Sequence, residues 1–180
     1  LVLAWALKGL NNLNLEKLEQ TFDFPDLFEK LHQIVQRTDN KEKTYEGKIF
    51  SWTRISFNRN EALQAMISLI GNDQERLKTV LAYFDGMSLA LREQLTRHIL
   101  KEYAAYYWDE KQKKKPLTDF QRQYAMRILS DKGEFLVNSA FNALDKISFS
   151  NEEMTVLENL LKRKGATFRG KIIGLVLKQA

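Results

Sequence analysis

Asn72-Asp-Gln-Glu-Arg-Leu-Lys-Thr-Val-Leu-Ala-Tyr-Phe84 is the stretch from which the fold can be predicted. Asn72 is a residue type that caps helix N-termini, and Glu75 follows three places later, the spacing of a capping box. Apolar residues then recur at intervals of three and four, the period of a helix with one buried face. They are Leu77, Val80, Leu81 and Phe84. This stretch therefore predicts an amphipathic helix over 73–84.

The same start and stop signals recur along the chain. Further cap pairs are Asn58 with Glu61, Thr118 with Gln121, and Ser150 with Glu153. Gly71, Gly86 and Gly165 follow apolar-periodic segments, where the left-handed residue that ends a helix is most often glycine. The predicted helices are 1–9, 14–21, 25–37, 59–70, 73–84, 88–111, 119–131, 134–147, 151–164 and 166–179. The chain is thus predicted to be all-α, with the conformation of 44–58 left open because its pattern fits neither helix nor strand.

The sequence also resembles itself. A shift of 77 residues places Leu77, Val80, Phe84, Leu91, Arg92, Leu95, Ile99 and Leu100 on Met154, Leu157, Leu161, Phe168, Arg169, Ile172, Val176 and Leu177. A three-helix unit is therefore predicted twice, at 59–100 and 139–177. Repeated helix pairs that bury their faces only by stacking are typical of α-solenoids. An ordinary helical bundle is the alternative, because amphipathic helices resemble one another by chance.

One junction carries a resemblance to a known repeat. It reads Leu157-Glu-Asn-Leu-Leu-Lys-Arg-Lys-Gly-Ala-Thr-Phe-Arg-Gly-Lys-Ile-Ile-Gly-Leu-Val-Leu-Lys-Gln179 and resembles a HEAT-type repeat junction, and Ala90-Leu-Arg92 opens a helix in the same way. Residues 59–180 are similar to the helical-repeat segments of large bacterial proteins labelled molybdate metabolism regulator-like. The resemblance implies stacked antiparallel helix pairs and a cytoplasmic interaction scaffold, and it supplies no catalytic residues. HEAT repeats often place proline in the first helix, whereas Pro25 and Pro116 are the only prolines here.

Length and composition limit the organisation of the chain. Its 180 residues suit a single helical-repeat domain, with a less regular part at 1–58 and a repeat-like part at 59–180. The apolar start at 1–7 lacks the flanks of a signal peptide, so we expect a piece of a longer chain. No apolar run approaches the ~18–20 residues of a membrane span. The absence of cysteine excludes disulfides and thiolate zinc sites and fits a cytoplasmic location.

No pattern of catalytic or metal-binding residues stands out. His32 and His98 lack ligands or a base at the required spacing, so we interpret them as surface or boundary histidines. Gly170-Lys171 lacks the other residues of a phosphate loop. Gly170 and Gly174 lie four apart in an apolar helix, and we interpret them as core positions that let another helix approach closely. The sequence predicts no catalytic residue, no metal and no cofactor.

Positive charge is concentrated in the second half of the chain. Residues 1–90 carry 11 basic and 12 acidic residues, whereas 91–180 carry 17 and 11, a net charge of +6. Such a surface attracts phosphate backbones or an acidic protein. The candidate partner-binding or phosphate-binding residues are Lys111, Lys113, Lys114, Lys162, Arg163, Lys164, Arg169 and Lys171. The alternative for 162–164 is a structural role without a ligand, because these residues end a predicted helix, where the helix dipole favours cations.

Three functions remain open at this point. The first is a non-catalytic scaffold that holds a protein partner or neighbouring domains of its own chain. The second is a nucleic-acid-binding repeat that uses the basic half of the chain, with the aromatic tract 103–108 available for base stacking. The third is an enzyme resembling HEAT-like DNA glycosylases. The adjacent residues Trp108 and Asp109 are the only sequence feature that supports this function.

Overall fold

A computed structural model describes Gly9 and residues 27–38, 43–46, 54–57, 59–104, 116–145, 147–162 and 165–178. The predicted helix at 14–21, the cap residue Asn58 and the tract 105–115 lie outside these residues, as does most of the predicted helix at 1–9.

The described part of the chain consists mainly of helices, and the predicted all-α fold is confirmed. The helices are α1 Leu27–Arg37, α2 Arg59–Ser68, α3 Gln74–Leu81, α4 Leu89–Leu100, α5 Asp119–Ile128, α6 Glu134–Leu144, α7 Asn151–Leu160 and α8 Ala166–Leu177. Two short strands, β1 Lys43–Glu46 and β2 Arg54–Phe57, pair antiparallel with Lys43 opposite Phe57. This ladder occupies much of the segment whose conformation the sequence left open.

The helix predicted at 88–111 is shorter than expected. It ends at Leu100, and Lys101–Tyr103 form a 3₁₀ turn that the Ala104 amide closes by donating to the Lys101 carbonyl at 3.0 Å. Lys101 has a φ of 44°, a left-handed conformation that cannot continue an α-helix. Tyr103, the first residue of the aromatic tract, is buried in this turn.

Two predicted caps are confirmed and one is displaced. Thr118 and Ser150 each form a complete capping box with the residue three places on, at the starts of α5 and α7. The cap of α3 is Asp73 and not the predicted Asn72. An oxygen of the Asp73 carboxylate accepts from the amides of Glu75 and Arg76 at 2.9 and 3.1 Å. The negative charge also suits the positive end of the helix dipole.

The chain divides into two compact units, Leu1–Arg92 and Glu93–Ala180. The boundary falls within α4. In the first unit α1 packs against α2, and α2 against α3. The central side chains of this core are Leu31, Val35, Leu63, Met66 and Ile70, each 1% exposed or less. The division predicted from the sequence falls at residue 58, between a less regular part and a repeat-like part. That division describes the sequence pattern and not compact units, and it stays a prediction.

The second unit is built on α6. Helix α5 packs against α6, and α8 packs against both α6 and α7. The apolar core includes Leu129, Leu136, Leu144, Leu157 and Ile172, none of which is measurably exposed. At one point of this core the rings of Phe141 and Phe168 meet edge to face with their centroids 5.8 Å apart. These contacts fix which side of α8 faces the core and which side faces outward.

The predicted repeat is visible in the helix bounds. A shift of 77 residues carries Leu89–Leu100 onto Ala166–Leu177, so α4 becomes α8. The same shift carries the first residue of α3, Gln74, onto the first residue of α7, Asn151. Both copies are thus helix–turn–helix–turn–helix segments, α2 to α4 and α6 to α8. Stacking of the copies into a solenoid stays a prediction.

Candidate functional site

The described residues show no arrangement suited to metal binding. No group of three or more histidine or carboxylate side chains among them could hold a metal ion. His32 is half-buried in the first unit, where its Nε2 lies 3.1 Å from the Tyr83 hydroxyl and its Nδ1 lies 3.8 Å from Glu29. His98 is a half-buried residue of α4. Both positions are boundary positions, as predicted.

One side of α8 is apolar and open. Ala166, Gly170, Ile173 and Leu177 follow one another at intervals of four, three and four, so they form a single stripe, which we call the α8 outer face. Ile173 is 46% and Leu177 is 68% exposed. The opposite side of the helix carries the buried residues Ile172 and Leu175. Large aliphatic side chains exposed together in this way are typical of binding surfaces.

The predicted role of Gly170 and Gly174 in close core packing is wrong for the described part of the chain. Gly170 is exposed, and a Cβ atom added to either glycine would meet no atom within 4 Å. The helical period explains the error. It places Gly170 on the same side as Ile173 and away from the core residues Ile172 and Leu175.

The C-terminal half of the equivalent side of α4 is covered. Thr96 and Leu100, which correspond to Ile173 and Leu177, have no exposed surface. Helix α5 lies against this part of α4, since the Thr96 and Tyr124 hydroxyls are 2.8 Å apart. The Gln121 side-chain amide also donates to the Ile99 carbonyl at 2.8 Å. The same two helical positions are therefore buried under a helix in one copy and open in the other.

Three of the predicted basic residues lie on the described surface of the second unit. Lys162, Arg169 and Lys171 are all exposed. Lys162 donates to the Asn159 side chain at 2.8 Å. Lys171 donates to the Asn138 side chain at 2.8 Å, and its ammonium group lies 5.5 Å from the centroid of the Phe141 ring. The other candidates, Lys111, Lys113, Lys114, Arg163 and Lys164, lie outside the described residues.

One basic residue of α8, Arg169, borders its outer face. At about 100° per residue, Arg169 lies about 70° from the centre of the stripe, whereas Lys171 lies about 130° from it, on the side that contacts α6. Lys178, just after the helix, lies on the same side as Lys171 and forms an ion pair with Asp145. Residues 161–180 contain six lysines and arginines and no acidic residue. The result is an apolar stripe with Arg169 at one border, within a basic segment of the chain.

A bidentate ion pair of the second unit has no counterpart in the sequence predictions. The Arg122 guanidinium binds both carboxylate oxygens of Glu153, with Nε–Oε1 and Nη2–Oε2 distances of 2.6 and 2.5 Å. Its Nη2 also donates to the Ser148 carbonyl. The bond to Arg122 lowers the pKa of Glu153, and the bond to Glu153 raises the pKa of Arg122. This pair ties α5 to the start of α7.

The chain was compared with known proteins. Residues 5–180 match the model of DUF5724, a family of unknown function. The chain belongs to the DUF5724 family. The match spans both compact units, so the α8 outer face and the Arg122–Glu153 pair lie within the DUF5724 region. No curated protein and no solved structure matches this DUF5724 chain.

Among the described residues, no helix has both the length and the apolar character needed to cross a bilayer.

Proposed function

We propose that this DUF5724 chain is a non-catalytic helical-repeat scaffold that holds a protein partner or neighbouring domains of its own chain. The observation that carries the proposal is the α8 outer face, where Ile173 and Leu177 remain 46% and 68% exposed. Each square ångström of apolar surface kept in water costs about 25 cal/mol. Covering both side chains with a partner would recover this free energy.

The repeated helices support the same function. In a helical repeat each unit contacts mainly its neighbours, so extended faces stay available for recognition. The resemblance to HEAT-type repeats of bacterial proteins favours stacked antiparallel pairs and a cytoplasmic setting. The described surface carries an exposed apolar stripe that Arg169 borders. Recognition suits such a surface better than chemistry does.

The scaffold function is tested by recovering partners from the cells that make the protein. We expect the tagged full-length chain to co-purify with a specific protein, and we expect Ile173→Asp and Leu177→Asp to lose it. Leu89→Asp is the matched control, because Leu89 is an equally exposed apolar residue, 45%, in the first turn of α4. Equal recovery with all three variants would contradict the proposal.

Nucleic-acid binding is the second candidate function. It is favoured by the six basic residues and the absence of acidic ones in 161–180. If Lys162, Arg169 and Lys171 neutralise phosphates, the affinity should fall steeply with salt, because counterions are released on binding. We expect a gel shift at about 50 mM salt that disappears by about 200 mM and weakens in Arg169→Glu. The absence of a shift at low salt would eliminate this function.

A further inference from the structure

The partner of the α8 outer face can be inferred from what covers its counterpart. Helices α4 and α8 have the same length and correspond residue by residue through the shift of 77. Thr96 and Leu100 of α4 are completely buried, whereas Ile173 and Leu177 of α8 are among the most exposed apolar side chains of the described chain. The C-terminal half of this helical face thus exists in a covered and an open form, whereas Leu89, the counterpart of Ala166, is 45% exposed.

Side chains of a helix help to cover this half of α4. Helix α5 contributes Tyr124, whose hydroxyl bonds to Thr96, and Gln121, whose side-chain amide bonds to the Ile99 carbonyl. Tyr124, Ala125 and Ile128 make up the buried side of α5, with polar residues such as Arg127 on the other side. An amphipathic helix is therefore the shape that fits this face.

The chemistry required at α8 differs from that at α4 in two respects. Ile173 stands where Thr96 stands in α4, so a hydroxyl that needs a partner is replaced by an aliphatic side chain. The occupant should accordingly place an aliphatic residue there and not a tyrosine. Arg169 borders the stripe, and α8 contains no acidic residue. Acidic residues on the flanks of the occupant would complement this charge.

We propose that the α8 outer face binds an amphipathic helix of a partner protein, which lies on α8 as α5 lies on α4 and carries acidic residues beside its apolar stripe. The inference rests on the proposed scaffold function and specifies the kind of partner. Helix-in-groove recognition of this type uses anchors spaced three and four residues apart. Ile173 and Leu177 supply the complementary surface, and Gly170 lets the partner backbone approach between them and Ala166.

The test uses a designed helical peptide and the full chain. The probe carries leucines at positions i, i+4, i+7 and i+11 and glutamates on both flanks, and a matched peptide carries lysines in place of the glutamates. Binding is followed by fluorescence anisotropy of the labelled peptide. We expect the glutamate peptide to bind, to bind at least about tenfold more weakly to Leu177→Asp, and to lose affinity for Arg169→Glu and at high salt.

Leu89→Asp serves as the control variant and should bind the glutamate peptide as the wild type does. Circular dichroism of each variant checks that the helices are retained. The proposal is overturned if the lysine peptide binds as tightly as the glutamate peptide, if neither binds, or if Leu177→Asp binds unchanged. If a protein partner recovered from cells is still lost in Leu177→Asp, the scaffold function is supported even though the partner is not an acidic helix.

Two other occupants are separated by parallel measurements. Sedimentation velocity would show a dimer that Leu177→Asp dissociates if a second copy of the chain covered the face. Co-sedimentation with phosphatidylserine vesicles, lost in the same variant, would assign the face to a lipid surface. Either result would overturn the proposal, and a monomer that ignores vesicles but binds the glutamate peptide supports it.

Discussion

Glu153 performs two tasks with one carboxylate. It closes the capping box of α7 by accepting from the Ser150 amide at 2.8 Å, and it binds the Arg122 guanidinium through both oxygens. Hydrogen bonds to the ionised form, above all the one from Arg122, lower the pKa of Glu153 from its ordinary value of 4.5. The folded state therefore favours the charged carboxylate more than the unfolded chain does.

Acid should weaken the second unit through Glu153. Because the folded pKa is the lower one, the stabilisation is complete above pH 4.5 and is lost as the pH falls through the folded pKa. We expect Glu153→Gln to lower the free energy of unfolding by about 1–2 kcal/mol at pH 7. A half-buried bidentate ion pair stabilises a fold more than a fully exposed pair does. The substitution should also flatten the pH dependence of the unfolding free energy below pH 4.5, measured by urea denaturation.

Glu158→Gln provides the comparison for this experiment. Glu158 is an exposed residue of the same helix, so its replacement should leave both the stability at pH 7 and the slope in acid close to those of the wild type. A wild-type chain whose stability does not decline below pH 4.5 would contradict the assigned role of Glu153.

The sequence predicted half of this arrangement. The spacing of Ser150 and Glu153 is a local signal, and the capping box formed as expected. Arg122 lies 31 residues before Glu153, and no local pattern links two residues that only the packing of α5 and α7 brings together. At α3 the local signal was itself ambiguous, because Asn72 and Asp73 are both good caps and the helix starts one residue later than predicted.

At the scale of the element, the predictions were right about helix existence and less so about helix ends. The helix predicted at 88–111 overran the left-handed Lys101, and the other predicted helices from 59 onward end two to four residues late. Apolar periodicity continues through a turn that buries its side chains, as at Leu100 and Tyr103, so the pattern alone does not reveal where the hydrogen-bonded ladder stops.

The cap of α3 can be located by mutation. Asp73→Ala should destabilise the first unit by about 1 kcal/mol, because the amides of Glu75 and Arg76 lose the carboxylate that accepts from them. Asn72→Ala should change the unfolding free energy by less than about 0.5 kcal/mol. Thermal and urea denaturation of both variants measure the difference. A larger loss of unfolding free energy in Asn72→Ala than in Asp73→Ala would show that Asn72, the residue predicted from the sequence, is the cap.

Two glycines of the α8 region should respond oppositely to alanine. Gly170→Ala is expected to stabilise the chain by up to about 1 kcal/mol, because the position is helical and exposed and its new Cβ meets no described atom. Gly165→Ala should destabilise it by about 1 kcal/mol or more, because Gly165 has a φ of 127°. Denaturation midpoints decide the signs. Destabilisation by Gly170→Ala would mean that something packs on the outer face.

At the scale of the whole molecule, the class of fold could be predicted from the sequence and the open face could not, while the repeated three-helix unit stays a prediction. Helix α8 has apolar residues on several sides, including the adjacent pair Ile172 and Ile173, of which one is fully buried and the other 46% exposed. Periodicity cannot choose between them, because the choice depends on where α6 and α7 lie. The basic character of the same region could be predicted, because the charge of a segment follows from its residues and does not depend on how the helices pack.

The boundary between the units gives a prediction about fragments. It falls inside α4, where the Leu91 amide donates to the Ser88 hydroxyl at 3.4 Å and the Arg92 amide to the Ser88 carbonyl at 3.1 Å. A fragment 88–180 keeps this first turn, and a fragment 93–180 loses it. We expect the longer fragment to be more helical by circular dichroism and to melt at a higher temperature. Identical melting curves would show that α4 tolerates the cut.

The shared carboxylate of Glu153 also constrains how the family can vary. A change at Arg122 leaves the half-buried Glu153 carboxylate without its cation. A change at Glu153 removes both the capping box of α7 and the ion pair with Arg122. Neutral drift at one of these sites is thus expected to be followed by compensation at the other. Aligned DUF5724 sequences should show the two positions covarying, and Ser150 should be retained wherever the acid is.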